Sequence, residues 1–390
     1  MALAGTAWYL TQAWLPHNVR LYGLRDVHGD KPALRRLLAV LCACCWPPHF
    51  FASLLFYTDA IAGLTLAVAA TKILQSSPHI SPSGQARHTS TAQLIGWCVA
   101  AIACRQTAIV WVGLAVGAVV MVDVQGIGSL FPSSVTTARH AVRAVLRRIW
   151  RDLTPGTVPS NTDSPVRAGV CTALLFGAFL WINGGVALGD VQHHSMGAHL
   201  TQLAWLGCVL LPWAVSGGVR CARQWATRRS KAIAVVLTLL LAIAAGMTAQ
   251  VHPFILADNR HVPFYLCRYL LCRSSVAAAL AILCGSASFI GVAWCIAYAR
   301  PMRHKYLYTY AVVGAVCWVL GAAGSLVPSP LVEPRYFTPA LAVAWALMPV
   351  PARTHGVGLV AMHVLNLVAV LVFCLKSFRS PDGSTGRIMW

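Results

Sequence analysis

From residue 37 to residue 375 the chain is a succession of apolar runs separated by short polar loops, and that pattern leaves few architectures open. Crossing about 30 Å of hydrocarbon takes about 20 helical residues, and fewer where helices are short or re-entrant. By that measure spans fall at 37–56, 60–74, 94–104 with 107–122, 168–188, 200–218, 232–250, 275–298, 308–327, 337–350 and 356–375. Residues 1–15 form one further apolar piece, without the charged leading region of a signal peptide. None of the runs alternates with the two-residue period of a barrel strand, so only helices can satisfy their backbones. The expectation is an all-α polytopic membrane protein, a single multi-pass domain over 1–390 with about 11–12 transmembrane helices.

Composition narrows the function. Charged residues are 10% of the chain and hydrophobic ones 58%, whereas a soluble domain carries about 25% charged residues. The net charge of +20 would suit nucleic acid, but the basic residues are scattered through short loops and no soluble basic domain exists to bind it. Most of the 14 cysteines lie inside apolar runs, where a thiol behaves as a small hydrophobe. Cys42, Cys44 and Cys45 have no paired second half, which argues against a zinc site. Cys267 and Cys272 are left open between free thiols and a disulfide.

Charge placement then assigns the sides. Alternating the loops across the membrane puts 21 of the 30 Lys and Arg residues on one face and eight on the other, with Lys72 inside a run. The positive-inside rule makes the first face cytosolic. Its loops, among them 138–167, read as basic and bland. The opposite face holds compact polar knots: Phe56-Tyr-Thr-Asp59, Arg105-Gln-Thr107, Asn183-Gly-Gly185 with Gly189-Asp190, Asp258-Asn-Arg-His261, and Glu333-Pro-Arg-Tyr-Phe337. Ionisable groups at membrane depth are costly, and they are commonly paired or functional. The loop 250–274 is the longest of these and the densest in polar and aromatic groups.

Each knot has a bland and a sharp reading. Asp59 is either a helix cap or a carboxylate supporting a sugar or phosphate site. Arg105, with Gln106 beside it, either snorkels at a turn or offers a bidentate fork at the depth of a lipid phosphate. Asp190, with His193, His194 and His199 nearby, lacks the spacing of a metal set, and a sugar-touching loop is the preferred reading. Asp258, Asn259, Arg260 and His261 are a capping box or a carbohydrate-reading surface with Phe254, Phe264 and Tyr265. Glu333 and Arg335 bracket Pro334, which predicts an extended segment carrying a local salt bridge or a second phosphate-binding arginine.

These strings, in order, resemble the eukaryotic α-1,2-glucosyltransferases of the endoplasmic reticulum that use dolichyl-phosphate-glucose. The matching motifs are Phe56-Tyr-Thr-Asp59, Arg105-Gln-Thr with Ile109-Val-Trp111, and Asn183-Gly-Gly185 with Gly189-Asp190. Further along come Leu256-Ala-Asp-Asn-Arg-His261 with Phe264-Tyr265, Leu331-Val-Glu-Pro-Arg-Tyr-Phe337, and the closing Arg387-Ile-Met-Trp390. The resemblance implies a GT-C membrane fold facing the lumen. It also implies inverting glucosyl transfer from dolichyl-phosphate-glucose to a diglucosylated dolichyl-diphosphate-linked oligosaccharide, without nucleotide cofactor or metal. The site residues it implies are Asp59, Arg105, Gln106, Asp190, Asp258, Asn259, Arg260, His261, Glu333, Arg335 and Tyr336, with the arginines on phosphate.

The family pattern opens with a first helix and a luminal loop carrying an acidic pair, the general-base segment. The sequence starts inside what resembles the second span, so the catalytic base goes unnamed. The alternative expectations are a catalytically inactive, shortened relative, or a transport or regulatory membrane protein.

Overall fold

The computed structural model describes residues 32–48, 50, 58–77, 89–125, 135–154, 164–186, 197–224, 227–249, 268, 273–297, 305–329, 332–379 and 385–387. In chain order the helices are α1 (Pro32–Cys45), α2 (Thr58–Gln75), α3 (Thr91–Cys104), α4 (Ala108–Gln125), α5 (Val135–Leu153) and α6 (Pro165–Asn183). They continue as α7 (Thr201–Gln224), α8 (Arg228–Met247), α9 (Ser275–Ala297), α10 (Lys305–Leu326), α11 (Thr338–Leu347) and α12 (Ala352–Leu375). A 3₁₀ turn, Pro334–Phe337, precedes α11. The C-terminal region adds a small antiparallel hairpin, β1 (Ser377–Arg379) paired with β2 (Thr385–Arg387), to an otherwise helical architecture.

Local chemistry explains several boundaries. Ser90 and Ser164 each accept a hydrogen bond from a backbone N–H of the first helical turn, and Pro165 opens α6 with a φ already suited to a helix. Gly184 ends α6 at φ 71°, a left-handed cap that a side chain would strain.

Among the described residues, four helices are long and apolar enough to cross a membrane: Pro165–Asn183, Arg229–Met247, Ser275–Ala297 and Ala352–Leu375. Shorter apolar helices lie at Ile61–Gln75, Thr91–Cys104, Ala108–Val124, Thr201–Gly217 and Ala311–Leu326. Along α8, Ile233, Val236, Leu240 and Ile243 are all more than half exposed, a surface that only lipid can solvate over such a length. The protein is therefore a multi-pass membrane protein.

The largest buried cluster among the described residues joins α1, α4, α7, α9, α10, α11 and α12. Phe289 stacks on Trp318 at 4.8 Å between centroids, Trp213 leans on Trp345 at 5.3 Å, and the Trp318 indole N–H donates to the Ala340 carbonyl at 2.8 Å. Between α7 and α9 the packing goes down to the backbone, with Gly207 facing Gly285.

Two polar rims form at opposite ends of the helices. At one, the Arg105 turn meets Tyr336. There too Gly197 N–H and His199 N–H donate to the carbonyls of Pro328 and Val327, and Leu200 N–H reaches the Thr248 hydroxyl. At the other, Ser77 donates to Asp123, Arg148 bridges Asp123 (3.1 Å) and Asp152 (3.3 Å), and Arg167 donates to the carbonyls of Asp152 and Thr154. Loops assigned to one face by alternation thus meet one another.

The stretch 138–167 is not the loop that its charges suggested. Its first half is the amphipathic helix α5, whose inward face carries the Arg148–Asp152 ion pair beside half-buried Val145 and Ile149. Arg148→Ala would leave Asp152, 3% exposed in its side chain, without its main counter-charge. Breaking such a pair costs about 3–5 kcal/mol. Limited trypsin digestion should then cut within α5 many times faster than in the unaltered protein, and an unchanged digestion rate would show the bridge to be dispensable.

Candidate functional site

The site begins at the break between α3 and α4. Arg105 caps α3 with an extended backbone (φ −157°, ψ 115°), and its carbonyl accepts from Ala108 N–H at 2.9 Å, so the chain reverses within Arg105-Gln106-Thr107. The turn leaves Arg105 and Gln106 half-buried at the rim. The guanidinium carbon of Arg105 lies 4.3 Å from the centroid of the Tyr336 ring. That of Arg335 lies 5.6 Å from the same ring. An aromatic face attracts a cation at such distances, and a guanidinium sheds water readily enough to rest there.

Glu333 is extended (φ −116°, ψ 122°), as a residue before proline should be, but Pro334–Phe337 coil into a 3₁₀ turn instead of staying extended. Two local bonds favour the coil: Tyr336 N–H donates to the Glu333 carbonyl at 2.9 Å, and the Thr338 hydroxyl to the Arg335 carbonyl at 2.8 Å. Within the turn Arg335 pairs through Nε with the Glu333 carboxylate. Burial is the main reason the Tyr336 phenol is held above its ordinary pKa. The Glu333 charge and a hydrogen bond to it push the same way, and Arg335 and Arg105 oppose them. The hydroxyl therefore stays protonated beside Glu333.

Beneath this cluster, between α2, α4, α10 and α11, lies an apolar cavity of about 100 Å³. Thr338 and Pro339, next in sequence to the 3₁₀ turn, line it together with Leu66, Trp111, Cys317 and Val343. A cationic, aromatic-backed rim above an apolar recess can hold an anionic headgroup with its hydrocarbon chain below.

Of the residues singled out in the sequence, Arg105, Gln106, Glu333, Arg335 and Tyr336 sit in the two segments that the fold brings together. Asp59 is the second residue of α2, and its side chain lies outside the described residues. Asp190, Asp258, Asn259, Arg260 and His261 also lie outside them, as do Cys267 and Cys272. The described residues next to these segments, Gly197–His199 and Thr248, belong to the same rim as Tyr336. Tyr336 as the shared platform of two arginines is not legible locally, because Arg105 is far away in sequence.

A family model described as the DIE2/ALG10 family matches residues 10–346. The chain belongs to the DIE2/ALG10 family. Curated relatives carry one name, Dol-P-Glc:Glc(2)Man(9)GlcNAc(2)-PP-Dol alpha-1,2-glucosyltransferase. The protein of that name from Drosophila melanogaster is 27% identical over 370 residues, covering 88% of this chain and 73% of the relative. The Mus musculus protein is 25% identical over 373 residues, 92% and 73% respectively. The Mycosarcoma maydis protein is 27% identical over 432 residues, 90% and 65%. No solved structure matches the chain. The family match takes in both the Arg105 turn and the Glu333–Phe337 turn, so the polar rim lies wholly inside the family's own sequence.

Proposed function

We propose that this protein is a glucosyltransferase of lipid-linked oligosaccharide assembly. In this reading it moves glucose from dolichyl-phosphate-glucose onto the diglucosylated dolichyl-diphosphate oligosaccharide, in the membrane of the endoplasmic reticulum. The observation that carries the reading is the convergence of Arg105 and Arg335 on Tyr336 above an apolar recess, in a chain of the DIE2/ALG10 family. Two guanidiniums suit the phosphate, and the recess suits the first isoprene units of its lipid. The Lys and Arg bias supports a luminal position for this rim.

The reaction is an inverting displacement of GT-C type. The 2-hydroxyl oxygen of the terminal glucose attacks C1 of the β-linked glucosyl phosphate, the C1–O bond breaks, and dolichyl phosphate leaves with the bonding pair. The transition state is oxocarbenium-like, so charge grows on the leaving phosphate where Arg105 and Arg335 can meet it. The hydroxyl proton passes to a carboxylate base. Glu333 is set apart from that role by its ion pair with Arg335. Asp59, Asp190, Asp258, Asn259 and His261 are assigned to binding the sugars of donor and acceptor, and Arg260 to the donor phosphate.

Membranes lacking endogenous activity, supplied with the full-length protein and dolichyl-phosphate-glucose, should convert diglucosylated to triglucosylated precursor. Robust expression without conversion would favour an inactive relative. Within an active protein, Tyr336→Phe should keep most of the rate, because the ring under Arg105 survives. Tyr336→Ala removes the platform and should lower kcat/KM about 10-fold, the value of a partly desolvated cation–ring contact. Equal rates for the two variants would show that the ring does not hold the arginine.

A further inference from the structure

The helix α5, Val135–Leu153, presents its faces in an arrangement that water does not favour. At about 100° per residue, Val142, Leu146, Trp150 and Leu153 share one sector, and His140, Arg143, Arg147 and Arg151 the next. The sector turned toward the protein carries Arg148 and Asp152, tied to Asp123 on α4 and, through the Asp152 carbonyl, to Arg167 on α6. The apolar sector faces outward: Val142 is 57% exposed, Leu146 59% and Trp150 74%. A helix on a soluble protein buries its apolar stripe and solvates its charges. Here the ion pairs point in and the apolar stripe points out.

Its position says what covers that stripe. The neighbours α4 and α6 are apolar spans, and α5 packs against the ends of both, so it is fixed at the edge of the hydrocarbon on the rim opposite Arg105. We propose that α5 is a membrane-surface helix that seats Val142, Leu146 and Trp150 at the headgroup–acyl boundary and binds anionic phospholipid through Arg143 and Arg147. A bulky indole beside an apolar stripe, flanked by arginines, is the composition that settles in that layer. Arg143 and Arg147 are exposed, whereas Arg151 also leans on Asp152 at 3.7 Å. The chemistry recognised is the net negative charge of an anionic lipid headgroup in the leaflet facing the basic loops.

The test uses the full-length protein reconstituted into vesicles, with a benzoylphenylalanine photocrosslinker in place of Trp150. One vesicle set is phosphatidylcholine alone, and the other is phosphatidylcholine mixed with phosphatidylserine. Irradiation should join position 150 to lipid, with phosphatidylserine captured well beyond its share of the mixture. Two arginines beside an anionic surface correspond to about a 30-fold preference. Arg143→Gln with Arg147→Gln should erase that preference while leaving capture of phosphatidylcholine, which also reports that α5 is still seated. Capture of phosphatidylserine only in proportion to its abundance would overturn the proposal. So would crosslinks to protein, or none to lipid.

Discussion

Arg105→Ala is expected to cut glucosyl transfer about 100- to 1,000-fold, the usual result of deleting one donor to a charge that develops in the transition state. The side chain is well placed for that role. The break between α3 and α4 fixes its backbone, and Tyr336 fixes its guanidinium, so little ordering remains to be done when the donor phosphate arrives. Arg105→Lys restores the charge without the planar fork, and it should recover only part of the rate. Protein level should hold in both variants, because the residue lies at the rim and outside the buried clusters. A wild-type rate in Arg105→Ala would remove the phosphate role, and a loss that simply tracked protein level would make the residue structural.

Gly285→Leu is expected to abolish folding. A Cβ added at Gly285 would lie 2.1 Å from the Ala204 carbonyl oxygen and 2.8 Å from the Cys208 sulfur, and one at Gly207 would lie 1.9 Å from the Gly285 oxygen. Lipid-embedded helices associate through close backbone approach and dispersion more than through the hydrophobic effect, so moving α7 from α9 removes what holds them. It would also pull Phe289, on α9, away from Trp318. Overpacking a built core costs about 1–3 kcal/mol even for modest insertions, and leucine far exceeds the space available. Gly285→Ala should already lower Tm by several degrees, whereas Gly177→Ala, which meets nothing within 4 Å, should not. Size-exclusion profiles in mild detergent decide it. A monodisperse Gly285→Leu peak with unchanged Tm would show that this seam is not what keeps the helices together.

Hydropathy located the spans well because the bilayer imposes a length and a polarity on each of them. The run expected at 232–250 is helix 228–247, that at 275–298 is helix 275–297, and Arg105-Gln106-Thr107 does divide α3 from α4. The same logic failed on α5. Its apolar residues recur every fourth position among arginines, which lowers mean hydropathy to that of a loop while preserving a helical face. The site was half legible. Arg105, Glu333 and Arg335 stood out as charges that a bilayer edge tolerates only with a partner. That Tyr336 is a platform for two of them depends on α4 and α10 packing side by side, and no window of neighbouring residues encodes that. The 3₁₀ coil Pro334–Phe337 was missed because proline restrains the residue before it, while local hydrogen bonds decided Pro334 and the three residues that follow.

The first described helix closes against the last. The Asn366 amide on α12 donates to the Cys45 carbonyl at the end of α1, and the Cys42 thiol to the carbonyl of His355. Ribosomal synthesis delivers these partners 321 and 313 residues apart. Until α12 emerges, the Cys45 carbonyl lacks its Asn366 partner, and the part of α1 that α12 covers faces lipid. Chains stalled or cut before α12 would keep that face open.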